Sequence, residues 1–228
     1  MDKQKKTMEP QYQVHLDNYN KRGATKLGLH ANTTWNEDPK HLLFSLSRYK
    51  FVSKMLDGQN NVCEIGCGDG TGARIVKQTV KNLAVTDFDA IFIEDIKSRH
   101  DPDWPLVAFV HDITEKPLPN VYDAIYSLDM MEHIKPEKES FAMRNILKSM
   151  NKKGVFILGI PSLASQKFAH PKSIEGHVNC KDGDEFKSEL LKWFNNVFIF
   201  SMNDEVVHTG FFKMSHYLIA ICCQPKIS

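Results

Sequence analysis

The stretch that decides the fold of this chain is Val62-Cys63-Glu64-Ile65-Gly66-Cys67-Gly68-Asp69-Gly70-Thr71-Gly72. Its first residues predict a short strand, which runs directly into a glycine-rich turn and then into a helix. Glycines let the backbone bend sharply and let a ligand approach the main chain closely. In an open α/β sheet, such a turn lies beside the topological switch point, where ligands bind. The alternative is a glycine turn that holds no ligand.

Strands and helices are predicted to alternate on either side of the glycine turn. The predicted strands cover residues 61–65, 83–86, 107–111, 122–128, 155–160, 197–202 and 216–222. The predicted helices cover residues 39–56, 71–80, 90–99, 138–150 and 184–194. This alternation predicts an α/β, Rossmann-like fold with a seven-stranded, mostly parallel sheet and helices on both faces. The last two strands have no helix between them, so we expect the last strand to run antiparallel.

The length and composition suit a single domain. The chain has 228 residues, of which 42% are hydrophobic, enough for a full core. We expect residues 1–36, which are polar and mixed, to form an arm or lid, and residues 37–228 to form the domain. In the arm, Trp35, Tyr19 and Tyr12 could help a lid to exclude water.

Charge and cysteine usage narrow the class of protein. Lys and Arg total 29 against 28 acidic residues, so a net charge of +1 gives no general attraction to nucleic acid or membrane. The five cysteines form no CxxC pair, which favours a reducing compartment over a disulfide framework or a zinc site. No apolar run approaches the roughly 20 residues needed to span a bilayer. We therefore expect a cytoplasmic protein with no membrane span and no nucleic-acid partner.

The glycine turn fits two motifs in two different frames. Gly68 to Ala73 match the dinucleotide fingerprint GxGxxG/A, but that frame starts two residues late, after the strand has ended. The frame Glu64-x-Gly66-x-Gly68-x-Gly70 begins inside the strand and includes an acid. It is the first motif of the class I S-adenosylmethionine-dependent methyltransferases, which the sequence closely resembles over residues 39–160. The resemblance implies S-adenosylmethionine as cofactor, S-adenosylhomocysteine as product, and these four residues as cofactor contacts.

Two further acids follow predicted strands at positions where the family binds its cofactor. By the resemblance, Asp87, with Phe88 beside it, accepts hydrogen bonds from the ribose hydroxyls. Asp112 lies against the adenine amino group, and the side chain of Ile113 lies on the ring. A helix cap is the alternative for Asp87, although Asp89 suits that position better. An exposed turn is the alternative for Asp112.

The run Tyr122-Asp123-Ala124-Ile125-Tyr126-Ser127-Leu128-Asp129-Met130-Met131-Glu132-His133-Ile134 resembles the ubiquinone-biosynthesis group of methyltransferases, type 11/12. In that group the backbone after the fourth strand faces the methionine amino group of the cofactor, which maps to Leu128, with Asp129 nearby. Related enzymes also hold the cofactor carboxylate with an arginine at the position of Arg48. A guanidinium suits a carboxylate through paired hydrogen bonds. A solvated helix arginine is the alternative.

Three histidines, and more weakly a fourth, are candidates for catalysis. Methyl transfer needs aligned reactants, and it needs a general base only if the acceptor carries a proton that must leave. His133 follows the fourth strand, where it could contact the cofactor, act as the base or only pack. His177 closes the predicted loop over residues 161–180 after the fifth strand, where substrates bind, and His170 in that loop is a weaker candidate. His208 and Asp204 lie in a segment that is either a substrate wall or a hairpin turn with solvated charges.

The favoured function is O-methylation of a small polar acceptor, such as a sugar, a sugar-nucleotide or a phosphorylated metabolite. The histidines do not fall in a metal-ligand pattern such as HxxxH with a nearby acid, so no metal site is predicted. A non-catalytic S-adenosylmethionine-binding partner subunit is one alternative. A nicotinamide-dependent oxidoreductase is another, but Glu64 disfavours it, because an acid would repel a pyrophosphate. The sequence leaves the oligomeric state open.

Overall fold

The computed structural model describes residues 6–226, which form one eight-stranded sheet. The strands are β1 (Asn61–Ile65), β2 (Asn82–Asp87), β3 (Val107–Val110), β4 (Tyr122–Leu128), β5 (Met150–Pro161), β6 (Phe194–Asn203), β7 (Val206–His208) and β8 (Tyr217–Pro225). Their order across the sheet is β3-β2-β1-β4-β5-β8-β6-β7. The order reverses between β1 and β4, so the ends of these two strands form the topological switch point.

The first five strands pair in parallel, and β8 runs antiparallel to both β5 and β6. The predicted mostly parallel sheet with an antiparallel last strand is therefore confirmed. Because parallel strands end at the same edge of a sheet, the segments that follow β1 to β5 meet there. Every functional residue predicted next to a strand of this group lies along that edge.

Helices cover the sheet and precede it in the chain. They are α1 (Gln13–Arg22), α2 (Leu29–Glu37), α3 (Pro39–Met55), α4 (Ala73–Lys77), α5 (Ala90–Ser98), α6 (Pro136–Lys148), α7 (Pro171–Gly176) and α8 (Gly183–Leu191). Short 3-10 helices cover Pro10–Tyr12, Met131–His133, Leu163–Phe168 and Phe212–Met214. No helix within residues 6–226 is long and apolar enough to cross a bilayer.

Two apolar clusters pack against the sheet, and neighbouring residues of β1 belong to different ones. Cys63 packs with Ile146 of α6 and with Phe156, whereas Val62 packs with Val52 of α3 and with Val76 of α4. This alternation is expected for a strand that is covered on both faces. The central strands are thereby fixed, and the edge that carries their carboxyl ends becomes a rigid base for a site.

The structure has one strand more than predicted and a shorter fourth helix. β7 pairs with the end of β6 as a hairpin, after a turn in which Asp204 adopts a left-handed φ of +47°. Three residues are too few for a clear alternating pattern, so the sequence indicated only the turn. The predicted helix over residues 71–80 is limited to α4, which is five residues long. The predicted loop over residues 161–180 contains α7.

The predicted arm, residues 1–36, begins outside the described residues, and the predicted domain, residues 37–228, ends outside them. Within the described part of the arm, α1 and α2 are regular helices. The division of the chain at residue 37 stays a prediction.

Candidate functional site

The glycine loop, residues 66–72, leaves β1 at the switch point and is shaped by three glycines with left-handed backbone. Gly66, Gly68 and Gly70 have φ angles of +73°, +51° and +66°. A Cβ at Gly66 would lie 2.3 Å from Cγ of Met130, and one at Gly70 would lie 2.9 Å from Cδ1 of Ile96. A Cβ at Gly68 would meet no described atom within 4 Å. The main chain at Gly68 therefore borders open space, where a ligand can approach it closely.

The carboxylate of Asp87, at the end of β2, lies next to this open space. The backbone N–H of Gly68 donates to Oδ2 at 2.9 Å, and that of Asp89 donates to Oδ1 at 3.0 Å. The N-terminus of α5 is capped by Asp89, whose carboxylate accepts from the N–H of Ile91 at 3.1 Å. The helix-cap alternative for Asp87 is therefore wrong. Its carboxylate is buried and fixed at the mouth of the loop, where its lone pairs can accept two neighbouring hydroxyls.

Glu64 lies behind the loop rather than in the open space. Its carboxyl group is fully buried, and each of its oxygens accepts a hydrogen bond of 2.9 Å, one from the hydroxyl of Tyr49 and one from that of Tyr126. Burial raises the pKa of Glu64 to about 8, although the two tyrosine hydroxyls act in the opposite direction. Through these two hydrogen bonds Glu64 connects β1 with α3 and β4, directly behind the glycine loop.

The other predicted cofactor contacts line the same edge but differ in exposure. Asp112 is half-buried, and its Oδ1 accepts from both the N–H and the hydroxyl of Thr114, at 2.8 and 2.7 Å. The side chains of Ile113 and Leu128 are buried in the core, and Phe88 is 74% exposed. Their predicted contacts with a cofactor stay predictions.

Arg48 is held inside the protein at the end of β4. Its Nη1 donates to Oδ2 of Asp129 at 2.5 Å, and its guanidinium carbon lies 3.8 Å above the ring of Tyr217. Asp129, the first residue after β4, has a left-handed φ of +55°. Only 6% of Arg48 is exposed, so the alternative of a solvated helix arginine is wrong. Nε of Arg48 is buried and has no hydrogen-bond partner among the described residues.

The arm is attached to the glycine loop through Asp69. Oδ2 of Asp69 accepts from the N–H of Ala31, in the first turn of α2, at 2.7 Å. The N–H of Gly28 donates to the hydroxyl of Thr71 at 3.2 Å, and a Cβ at Gly28 would lie 2.3 Å from Cγ of Asp69. Sequence reasoning missed this contact. A glycine directly before a helix was the available signal, since only glycine permits so close an approach.

The aromatic residues predicted to form a lid are exposed on their helices. Tyr12, Tyr19 and Trp35 are each more than half exposed. The lid therefore stays a prediction, while the attachment of α2 to the loop is a structural feature.

A second group of polar side chains, which we call the Glu132 cluster, consists of Glu132, His133 and His177. One potential ligand atom from each residue lies within 4.8 Å of the other two. Glu132 is fully buried, and neither carboxylate oxygen has a hydrogen-bond partner among the described residues. Burial, and next the charge of Asp129, raise the pKa of Glu132 well above its usual range. Burial, and next His133, lower the pKa of His177.

The cluster joins segments that are distant in sequence. Glu132 and His133 lie in the 3-10 helix after β4, and His177 follows α7. The ring centroids of the two histidines are 5.0 Å apart. Sequence reasoning selected both histidines separately as candidate bases and missed Glu132, because nothing in the local pattern indicated that all three would meet.

His208 lies apart from this group, in β7. Its Nδ1 accepts from the N–H of Gly210 at 2.9 Å, so Nε2 carries the proton and donates to Oδ1 of Asn203 at 2.8 Å. Both ring nitrogens are therefore used within the hairpin that β7 forms with β6. The segment forms a hairpin, while a role for His208 in catalysis or in a substrate wall stays a prediction. Asp204 is exposed in the turn, and His170 directly precedes α7.

A family model described as a methyltransferase domain matches residues 33–195. A search of curated proteins finds no match. Many solved structures are similar in fold.

Three of these structures illustrate the similarity. The N-methyltransferase NodS from Bradyrhizobium japonicum, in complex with S-adenosylhomocysteine, has 17% identity and a TM-score of 0.61, covering 84% of this chain and 91% of its own. A TehB-like S-adenosylmethionine-dependent methyltransferase from Corynebacterium glutamicum has 17% identity and a TM-score of 0.61, with coverage of 92% and 98%. A S-adenosylmethionine-dependent methyltransferase from Thermotoga maritima has 13% identity and a TM-score of 0.66, with coverage of 85% and 97%.

Proposed function

Because this chain belongs to the methyltransferase-domain family, we propose that it transfers the methyl group of S-adenosylmethionine to an oxygen atom of a small polar acceptor. The observation that carries this proposal is the fixed carboxylate of Asp87 beside the open main chain at Gly68. A carboxylate in this position suits a ligand that offers two neighbouring hydroxyls and carries no phosphate.

S-adenosylmethionine is the cofactor, and it supplies a methyl carbon that its sulfonium already activates for displacement. The residues of this chain bind and orient it. Asp87 accepts from the ribose hydroxyls, and Asp112 accepts from the adenine amino group. Arg48, whose Nε is buried and unpaired, contributes a donor for the carboxylate of the cofactor. Alignment of donor and acceptor can supply much of the rate in such a displacement.

The acceptor side supports a polar substrate. Glu132 contributes two buried carboxylate oxygens with no hydrogen-bond partner among the described residues, and His133 and His177 lie beside it. An apolar acceptor would leave these atoms unpaired at a cost of about 1–3 kcal/mol each. A hydroxylated acceptor can pair with them, and its oxygen must lose a proton on methylation, which the polar side chains of the cluster can assist.

The names of similar structures do not narrow the acceptor. One is an N-methyltransferase, and another is a magnesium protoporphyrin IX methyltransferase from Synechocystis. The choice of oxygen and of a small metabolite therefore rests on the polar groups of this chain.

The cofactor part of the proposal is tested by calorimetric titration with S-adenosylmethionine and S-adenosylhomocysteine. Asp87→Ala should weaken binding by roughly 100-fold, since hydrogen bonds to a charged group contribute about 1.5–3 kcal/mol each. The matched control is Asp57→Ala, an exposed aspartate after α3, which should bind like the wild type. Circular dichroism checks that each variant is folded. A folded wild type that binds neither ligand would refute the proposal.

The acceptor part is tested by release of S-adenosylhomocysteine in the presence of sugars, sugar-nucleotides and phosphorylated metabolites. The expected product carries a new O-methyl group, identified by mass spectrometry and NMR. Methylation at nitrogen or carbon would contradict the choice of oxygen. Tight cofactor binding with no turnover on any acceptor would instead favour a non-catalytic partner subunit.

A further inference from the structure

The Glu132 cluster has the composition of a metal site as well as that of a polar pocket. It brings one carboxylate and two imidazoles to within 4.8 Å of one another. Two histidines and one carboxylate form a common ligand set for divalent transition metals, and they leave further coordination positions open. Whether the cluster can bind a cation depends on which of its nitrogen and oxygen atoms have a free lone pair.

The hydrogen bonds of the two histidines are made by Nδ1 and leave Nε2 available in both rings. Nδ1 of His133 lies 2.9 Å from the carbonyl oxygen of Gly176, and Nδ1 of His177 lies 2.8 Å from Oε1 of Gln166. A carbonyl oxygen can only accept, so each Nδ1 carries a proton, and in the neutral imidazole each Nε2 keeps its lone pair. Metal-bound histidines typically donate their other ring N–H to an oxygen in this way, which fixes the ring for the ion.

The orientation of the Gln166 side chain agrees with this assignment. Its Nε2 donates to the carbonyl oxygen of Ser162 at 3.4 Å, which leaves Oε1 as the atom directed at His177. The close packing of Gly176 adds to the restraint, since a Cβ there would lie 3.3 Å from Nδ1 of His133. Both rings are thus held by their surroundings before any ion arrives.

The carboxylate of Glu132 supplies an independent observation. It is fully buried, and neither oxygen has a hydrogen-bond partner among residues 6–226. A buried carboxylate without a partner is strongly unfavourable, and such groups usually pair with a cation or coordinate a metal. Arg48, the nearby cation, is already paired with Asp129. The cluster therefore has an unmatched acceptor next to two free imidazole lone pairs.

We propose that Glu132, His133 and His177 bind a divalent first-row transition cation, such as Mn²⁺, Fe²⁺, Co²⁺ or Zn²⁺, whose open positions take the acceptor oxygen. Magnesium and calcium fit less well, because they prefer oxygen ligands.

The role of the cation rests on the proposed function. The cation lowers the pKa of the hydroxyl that it holds, and the hydroxyl proton leaves to water. The oxygen then forms the new bond to the methyl carbon while the carbon–sulfur bond breaks. The electron pair of the broken bond stays on sulfur. The cluster histidines act here as ligands, so no separate protein base is needed.

The test uses the full chain, stripped with a chelator and titrated with Co²⁺, followed by visible absorption and by calorimetry. We expect one site per chain, with the absorption bands of a nitrogen- and oxygen-ligated ion. His177→Ala and Glu132→Gln should each weaken binding at least 10-fold. The matched control is His100→Ala, an exposed histidine after α5, which should leave the titration unchanged.

Titration with S-adenosylhomocysteine monitors the fold of every variant and keeps this test separate from that of the proposed function. Absence of Co²⁺ binding in a wild type that binds S-adenosylhomocysteine would overturn the metal site. Equal Co²⁺ affinity in His177→Ala, Glu132→Gln and the wild type would overturn it as well. Methyl transfer that continues unchanged after chelation would overturn the role of the cation in holding the acceptor.

Discussion

The glycine loop and the Glu132 cluster lie at the same edge of the sheet, but their buried carboxylates differ in whether the protein satisfies their hydrogen bonds. Around the loop, both oxygens of Asp87 and both oxygens of Glu64 accept hydrogen bonds from the protein itself. In the cluster, both oxygens of Glu132 have no such partner among the described residues. The carboxylates around the loop have their hydrogen bonds before a ligand binds, whereas the carboxylate of Glu132 needs a partner that the described residues do not provide. The glycine loop is therefore a preorganised binding surface, and the Glu132 cluster is a site whose polar groups still lack a partner.

The largest expected effect comes from the glycines of the glycine loop. Gly66→Ala places a Cβ 2.3 Å from Cγ of Met130 at a left-handed φ, so the free energy of unfolding should fall by about 3–5 kcal/mol. Gly68→Ala has the same backbone strain but no described atom within 4 Å, so about 1–2 kcal/mol should be lost. Urea denaturation measures both values.

The second readout of this pair is cofactor affinity. Folded Gly68→Ala should bind S-adenosylhomocysteine at least 10-fold more weakly, since its methyl group occupies the space where the ligand approaches. Equal stability losses for the two variants would contradict the distinction between a glycine required for packing and a glycine required for access.

The next effect concerns the ionisation of Glu64. Its folded pKa of about 8 lies above the unfolded value, so the folded state binds the extra proton and loses stability as the pH rises between these two values. The loss should be about 1.4 kcal/mol per pH unit between pH 5 and 7, and it should level off above pH 8. Glu64→Gln should remove this slope while the amide keeps contact with the tyrosines.

Urea denaturation at several pH values, with wild type and Glu64→Gln in parallel, isolates the contribution of this one group. Parallel pH profiles for the two proteins would mean that Glu64 is ionised in the fold, and that the tyrosine hydroxyls outweigh burial.

The smallest effect compares the same substitution at two buried tyrosines, one beside Glu64 and one beside Arg48. The hydroxyl of Tyr126 donates to Glu64, whereas that of Tyr217 is buried without a hydrogen-bond partner among the described residues. Tyr126→Phe should lower the free energy of unfolding by about 1–2 kcal/mol, and Tyr217→Phe should change it by less than about 0.5 kcal/mol. Thermal denaturation ranks the two variants. A larger loss for Tyr217→Phe would show that the hydroxyl has a partner in solution.

Much of the fold could be predicted from the sequence because its decisive signals are local. The alternation of strands and helices and the frame Glu64-x-Gly66-x-Gly68-x-Gly70 indicated the Rossmann-like sheet, and the resemblance to class I methyltransferases is confirmed by the family match. Nothing distinguishes the ubiquinone-biosynthesis group within that class. Two of the missed elements, β7 and α7, are three and six residues long, which is too short for periodicity to show.

The site divides in the same way. Asp87 was predictable, because an acid at the end of the strand that follows the glycine loop is a local pattern. The Glu132 cluster was not, because His177 reaches the 3-10 helix after β4 only through the path of β5 and α7. The environments of Arg48 and Glu64 were equally hidden, since burial depends on packing between distant segments.

The attachment of α2 to Asp69 extends the binding surface into residues that precede the family match. The family match starts at residue 33, but the contacts that anchor the arm involve Gly28 and Ala31. A chain that began at residue 33 would keep every strand of the sheet but lose the contacts that Gly28 and Ala31 make with the glycine loop. The family match and the intact binding surface therefore begin at different positions in this protein.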